Sequence, residues 1–164
     1  MAFSNRNSAR HADLNYGTPL YSEKIRWPLW LWAFILFLSA SIDLAIWAAL
    51  SSTATILTTV ASIALIIYAN QMTTLRITVT KGWFLVGPAA IERAFIHNFR
   101  ALDSKAMREV RGVGADPACY LELRFWVPTG LKLELRDPKD KTPYWLISTN
   151  RANELLKILN LADH

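Results

Sequence analysis

"PLWLWAFILFLSASIDLAIWAAL", residues 28–50, decides the fold: its 23 residues hold one charge, Asp43. As a helix rising about 1.5 Å per residue it spans roughly 34 Å, enough to cross a hydrocarbon core of about 30 Å. Trp27, Trp30 and Trp32 crowd one end and Trp47 lies near the other. Tryptophan favours the headgroup level, so these read as interface anchors. Pro28 suits a first-turn position, where its missing N–H leaves nothing unpaired. A second apolar run, "ATILTTVASIALIIYA" (54–69), follows at once, with 51–53 and 70–71 able to extend it. So short a connection implies an antiparallel hairpin of helices 28–50 and 52–71. A hairpin buried in a soluble protein would need far more chain to cover it. A cleaved secretory leader is not expected, because the preceding tail is long and the apolar core exceeds the usual stretch of about 7–15 residues.

Charge orients the hairpin. Arg6, Arg10, Lys24 and Arg26 precede it, Arg76 and Lys81 follow it, and its tip carries neither Lys nor Arg. The positive-inside rule then places both termini in the cytoplasm of a two-pass protein of the plasma (inner) membrane. Three segments are expected: a cytoplasmic tail (1–27), the hairpin (28–71) and a cytoplasmic domain (73–164). The net charge of +5 is modest, and aromatic residues are accounted for by strands and interfaces, so nucleic acid is not an expected partner.

Asp43 lies about four residues past the middle of the first helix, where an acid costs on the order of 2.5–3.5 kcal/mol to insert. With a turn centred near Ser52, it faces Ala61, with Thr58 and Ser62 at a similar level. Ala54, Thr58 and Ser62 form a small-xxx-small stripe that lets helices approach closely. Asp43 is therefore expected to face inward and hydrogen-bond with Thr58 and Ser62, locking the hairpin or a contact with another membrane helix. A snorkelling side chain and an ion or proton relay are the competing readings.

Beyond the hairpin the period changes to two. "TLRITVT" alternates Leu75, Ile77 and Val79 against Arg76, Thr78 and Thr80, as in a strand with one buried face. "WFLV" and "AAIERAFI" follow as two more strands across Lys81-Gly82 and Gly87-Pro88 turns. "DSKAMREV" reads as a short helix capped by Asp103 or Ser104, and "RGVGADP" as a loop. "YLELRFWV", "LKLELR" and "YWLIS" make three further strands, joined by Pro128-Thr129-Gly130 and "DPKDKTP". "NRANELLKILNL" closes the chain as an amphipathic helix with Leu155, Leu156, Ile158, Leu159 and Leu161 to pack on the sheet. The fold class is α+β: a transmembrane hairpin, then a small antiparallel β-sheet or barrel with a short helix and a C-terminal helix. That layout is similar to pleckstrin-homology-like (PH-like) domains, an analogy of architecture that carries no function.

No catalytic constellation is found. "GVGADP" lacks the Gly-Lys-Ser/Thr ending of a phosphate loop. Ser104 and Ser148 lack a His–acid arrangement. The three histidines have no ligand spacing, and the single Cys119 reads as a small buried apolar residue. No enzyme activity, metal or cofactor is expected. Two surfaces are candidates for lipid or partner contact. Arg100, Lys105, Arg108 and Arg111 group on and beside the short helix, and juxtamembrane cations are attracted to anionic lipid. Phe125/Trp126 and Tyr144/Trp145 point to opposite faces of their strands. One aromatic of each pair, Trp126 and Trp145 foremost, is thus expected at a surface or under the terminal helix.

Several pieces together resemble an actinobacterial family of small two-pass membrane proteins known only as a domain of unknown function. They are Tyr21-x-Glu23 leading to Pro28-x-Trp30, "RALD" at 100–103, "GADP" at 114–117 with Tyr120, "LRFW" at 123–126 and "DPKDKTPYWLIST" at 137–149. Phe125 and the region of Ala152 depart from prolines expected in that family. The resemblance covers nearly the whole chain; it implies the two-helix topology and supplies no activity. Taken together, these readings give a non-enzymatic, membrane-tethered interaction or scaffold module that binds a protein partner or anionic lipid. The alternative is a subunit of a self-associating transporter or channel using Asp43.

Overall fold

Leu50 and Ser51 reverse the chain between two helices, α1 (Leu29–Ala49) and α2 (Ser52–Thr73). The computed structural model describes residues 17–112, 116–136 and 142–161. Most of the expected N-terminal tail, part of the "RGVGADP" loop, most of "DPKDKTP" and the Leu161 side chain lie outside the described residues. Two compact units result: Arg26–Thr74, and a β unit combining the segment that ends at Ile25 with the chain from Leu75 onward.

The helical unit is apolar on every side. Its helices have 21 and 22 residues, so each is about 32–33 Å long and meets the length and composition needed to cross a membrane. All but three of the 21 large hydrophobic side chains exposed among the described residues lie between Leu29 and Met72. The ends of the hairpin are tied together, for Trp27 Nε1 donates to Thr73 Oγ1 at 2.7 Å. Trp27 and Trp32 stack at 5.3 Å. At the tip, the Ser51 side chain accepts from the Ala54 N–H and starts α2.

The β unit contains two four-stranded sheets. The first has the order β1 (Tyr21–Ile25), β2 (Leu75–Val79), β3 (Trp83–Val86), β4 (Ala89–Glu92), all antiparallel. The second has the order β5–β7–β8–β6, from β5 (Ile96–Leu102), β6 (Tyr120–Glu122), β7 (Gly130–Leu135) and β8 (Tyr144–Ser148). A 3-10 turn, Arg93–Phe95, links the sheets. Helix α3 (Ser104–Arg111) begins at Asp103, whose carboxylate accepts from the Lys105 and Ala106 N–H groups at 3.0 and 2.8 Å. Helix α4 (Ala152–Leu161) sinks Leu155 and Leu159 into the main core beside Leu75, Ile77, Phe84, Leu131, Leu133 and Ile147.

Four expectations are corrected. Residues 21–25 are not part of a tail: Tyr21, Glu23 and Ile25 are buried and pair β1 with β2, Ile25 opposite Leu75. "HNFRAL" (97–102) extends into β5, paired with β7. The expected long strand 120–127 stops at Glu122, and β6 runs parallel to β8, so this sheet is mixed. Finally, Tyr144 and Trp145 are both buried. One face of β8 meets the main core, and Tyr144 and Leu146 on the other meet Leu102 and Met107 of a second cluster. A strand covered on both sides reads as a continuous apolar run.

Candidate functional site

Asp43 makes a polar contact between the two helices of the hairpin. Thr59 Oγ1 lies 3.0 Å from Asp43 Oδ2 and 2.9 Å from its own helix's Thr55 carbonyl. Asp43 Oδ1 is buried, with no hydrogen-bond partner among the described residues. Asp43 therefore faces the second helix, but the bond goes to Thr59. Thr58 donates back to the Ala54 and Thr55 carbonyls at 3.1 and 2.9 Å, and Ser62 is partly buried without joining the contact. The Asp43–Thr59 pair is centred on Ser51, one residue before the turn centre expected at Ser52, so Asp43 sits level with Thr59 rather than Ala61. The arrangement links one helix to the other.

In the β unit the expected basic group is exposed but dispersed. Arg100 lies on β5, opposite Lys132 of β7. Lys105, Arg108 and Arg111 lie on α3. Arg108 and Arg111 occupy its last turn, where cations complement the helix dipole. Arg100 lines an open groove of about 470 Å³ with Asp103, Thr129 and the 150–154 segment. Asp103 there is already committed to capping. Of the expected aromatics, Trp145 belongs to the core and stacks on Tyr120 at 4.9 Å. Trp126 is partly buried, and the exposed ring is Phe125, edge-on to Trp126 at 4.8 Å.

A buried carboxylate not anticipated as structural is Glu23. Its Oε2 accepts from Thr149 Oγ1 at 2.6 Å and from Tyr21 Oη at 3.0 Å, and its Oε1 accepts from the Asn150 N–H at 3.2 Å. It thereby ties β1 to the chain entering α4, where a negative charge also suits the helix N-terminus. Burial, reinforced by Glu23, pushes the Tyr21 hydroxyl well above its ordinary range. Burial and Glu122, which accepts from Tyr120 Oη at 3.0 Å, do the same to Tyr120. At the surface, hydrogen bonds from Lys132 and Asn98 hold Glu134 below the usual carboxylate range. Cys119 is half-buried against the second cluster. Among the described residues no group of three His, Cys, Asp or Glu could hold a metal.

Comparison with known proteins identifies a family. Residues 20–159 fit the family model described as "Protein of unknown function (DUF3093)", from β1 through most of α4. Searches of curated proteins and of solved structures return no significant match.

Proposed function

The chain belongs to this family of unknown function, and we propose that it is a two-pass membrane protein whose β unit is a cytoplasmic, non-enzymatic interaction or scaffold module. The observation that carries this reading is the contrast between its units. The β unit fills its own core, whereas the helices leave Leu29, Phe37, Trp47, Leu57 and Leu65 more than half exposed. A continuous apolar surface of that kind is satisfied by lipid. The basic residues flanking the hairpin favour cytoplasmic termini. Two sheets with a helix sunk into one core suit a PH-like layout, a scaffold that presents loops and edges to partners.

The Asp43–Thr59 contact supports a hairpin lock over a transport path, since the carboxylate is turned toward its own partner helix. In-cell crosslinking of the tagged full chain, followed by quantitative mass spectrometry, tests the proposal. The expected result is a second membrane protein in stoichiometric amount. Self-multimers alone, with ion flux through reconstituted chain that disappears in Asp43→Leu, would replace it with the transporter reading.

A further inference from the structure

We infer that the end of the β unit tethered to the helices docks on anionic phospholipid headgroups, with Lys24 and Arg76 supplying charge and Phe125 an aromatic side chain that enters the headgroup layer. The inference rests on the membrane reading above. Its first support is chain length. Ile25 and Leu75 are paired in the sheet, while α1 begins at Leu29 and α2 ends at Thr73. At about 3.3–3.6 Å per extended residue, Ile25 stays within about 14 Å of its helix and Leu75 within about 7 Å. That limit holds for any arrangement of the two units.

The chain that leads to Phe125 starts from the same end of the β unit. The Gly87 N–H donates to the Arg76 carbonyl at 2.9 Å, which sets the β3–β4 turn beside the start of β2. A Cβ on Gly87 would lie 3.4 Å from Leu75 Cδ1 and 3.6 Å from Glu122 Cδ. The C-terminal end of β6 is therefore at that end too, and it leads within three residues to Phe125. This ring is 70% exposed; the only other exposed large hydrophobics of the unit's described residues are Leu20 and Leu121. An exposed Phe beside a bilayer can bury its ring at the boundary of headgroups and acyl chains, as apolar residues of interfacial segments do.

The charge pattern agrees. Lys24 and Arg76 stand directly opposite each other on β1 and β2, both exposed. Neither makes an ion pair among the described residues. Like charges directly opposite across a ladder repel, and an anionic layer relieves that repulsion. Each cation near such a layer shifts the docked-to-undocked ratio by roughly fivefold.

The test uses the full chain in nanodiscs of phosphatidylcholine alone or of phosphatidylcholine with phosphatidylglycerol, 
carrying p-benzoyl-phenylalanine at one of three positions. Phe125 is the test site, Phe37 within α1 reports membrane insertion, and Lys81 on the β2–β3 turn reports the opposite end of the first sheet. After irradiation, lipid adducts are expected at Phe37 and, with anionic lipid, at Phe125, but not at Lys81. Lys24→Gln with Arg76→Gln should lower the docked-to-undocked ratio at Phe125 by roughly 20- to 30-fold. Adducts at Phe37 with none at Phe125 would overturn the docking inference and leave the membrane reading standing. No adducts at Phe37 would overturn the membrane reading itself. Equal adducts at Phe125 in both lipids, or in the double variant, would overturn the role given to the two cations.

Discussion

Replacing Glu23 with alanine should loosen the β unit at α4. The carboxylate receives three hydrogen bonds, from Thr149 Oγ1, Tyr21 Oη and the Asn150 N–H. Tyr21 and Thr149 are buried, so water cannot readily replace the lost acceptor. A buried donor left unsatisfied costs about 1–3 kcal/mol, and loss of a charge at a helix N-terminus adds about 0.3–1 kcal/mol. With the Tyr21 and Thr149 hydroxyls both left without their acceptor, Glu23→Ala is therefore expected to cost about 2–7 kcal/mol. Glu23→Gln keeps a carbonyl acceptor of the same size and should cost about 1 kcal/mol. Hydrogen exchange of the full chain in detergent, read by mass spectrometry over residues 150–159, measures the change locally. At about 1.4 kcal/mol per factor of ten, exchange in Glu23→Ala should accelerate by roughly thirtyfold or more. Acceleration below about threefold would refute the assignment of Glu23 as the tie between β1 and α4.

Asp43→Leu and Thr59→Val should each weaken the hairpin by about 0.6–1.7 kcal/mol, and the double variant should cost little more than either alone; Asp43→Asn should retain most of the contact, all measured by steric-trap unfolding in bicelles. Gly130→Ala should destabilise the β unit by about 1–3 kcal/mol, because its Cβ would stand 2.5 Å from the Ile147 carbonyl oxygen; a thermal melt in detergent reads it. The raised Tyr21 and Tyr120 hydroxyls predict alkaline sensitivity. Their contribution is fully present below the ordinary tyrosine value of about 10 and is lost as pH rises above it, when the unfolded chain ionises first. Tyr21→Phe with Tyr120→Phe should move the loss of the β-sheet circular-dichroism signal to higher pH.

The helices were legible because an apolar run with one charge permits few other folds. The partner of Asp43 was not, since moving the turn by one or two residues changes which threonine faces it. Strand β1 was hidden by Glu23, a charged residue in the inward-facing series of Tyr21 and Ile25, where an apolar residue would have announced the alternation. Strand β5 was hidden by His97, Asn98 and Arg100, which are exposed and give the segment a polar surface. For β8, the rule that adjacent residues face opposite ways was sound, but its assumption of one solvated face failed because α3 and its neighbours cover the other. Asp103 was readable as a cap because its chemistry is local. The Glu23–Thr149 contact joins residues 126 positions apart and leaves no local pattern.

Topology is the most direct test of the central claim. In a Cys119→Ala background, Ser52→Cys marks the hairpin tip and Lys157→Cys marks exposed α4. Intact cells treated with a membrane-impermeant maleimide should label position 52 and spare position 157, which should label only after permeabilisation. Labelling of position 157 in intact cells, or protection of position 52 while position 157 behaves as expected, would contradict a two-pass chain with its β unit in the cytoplasm.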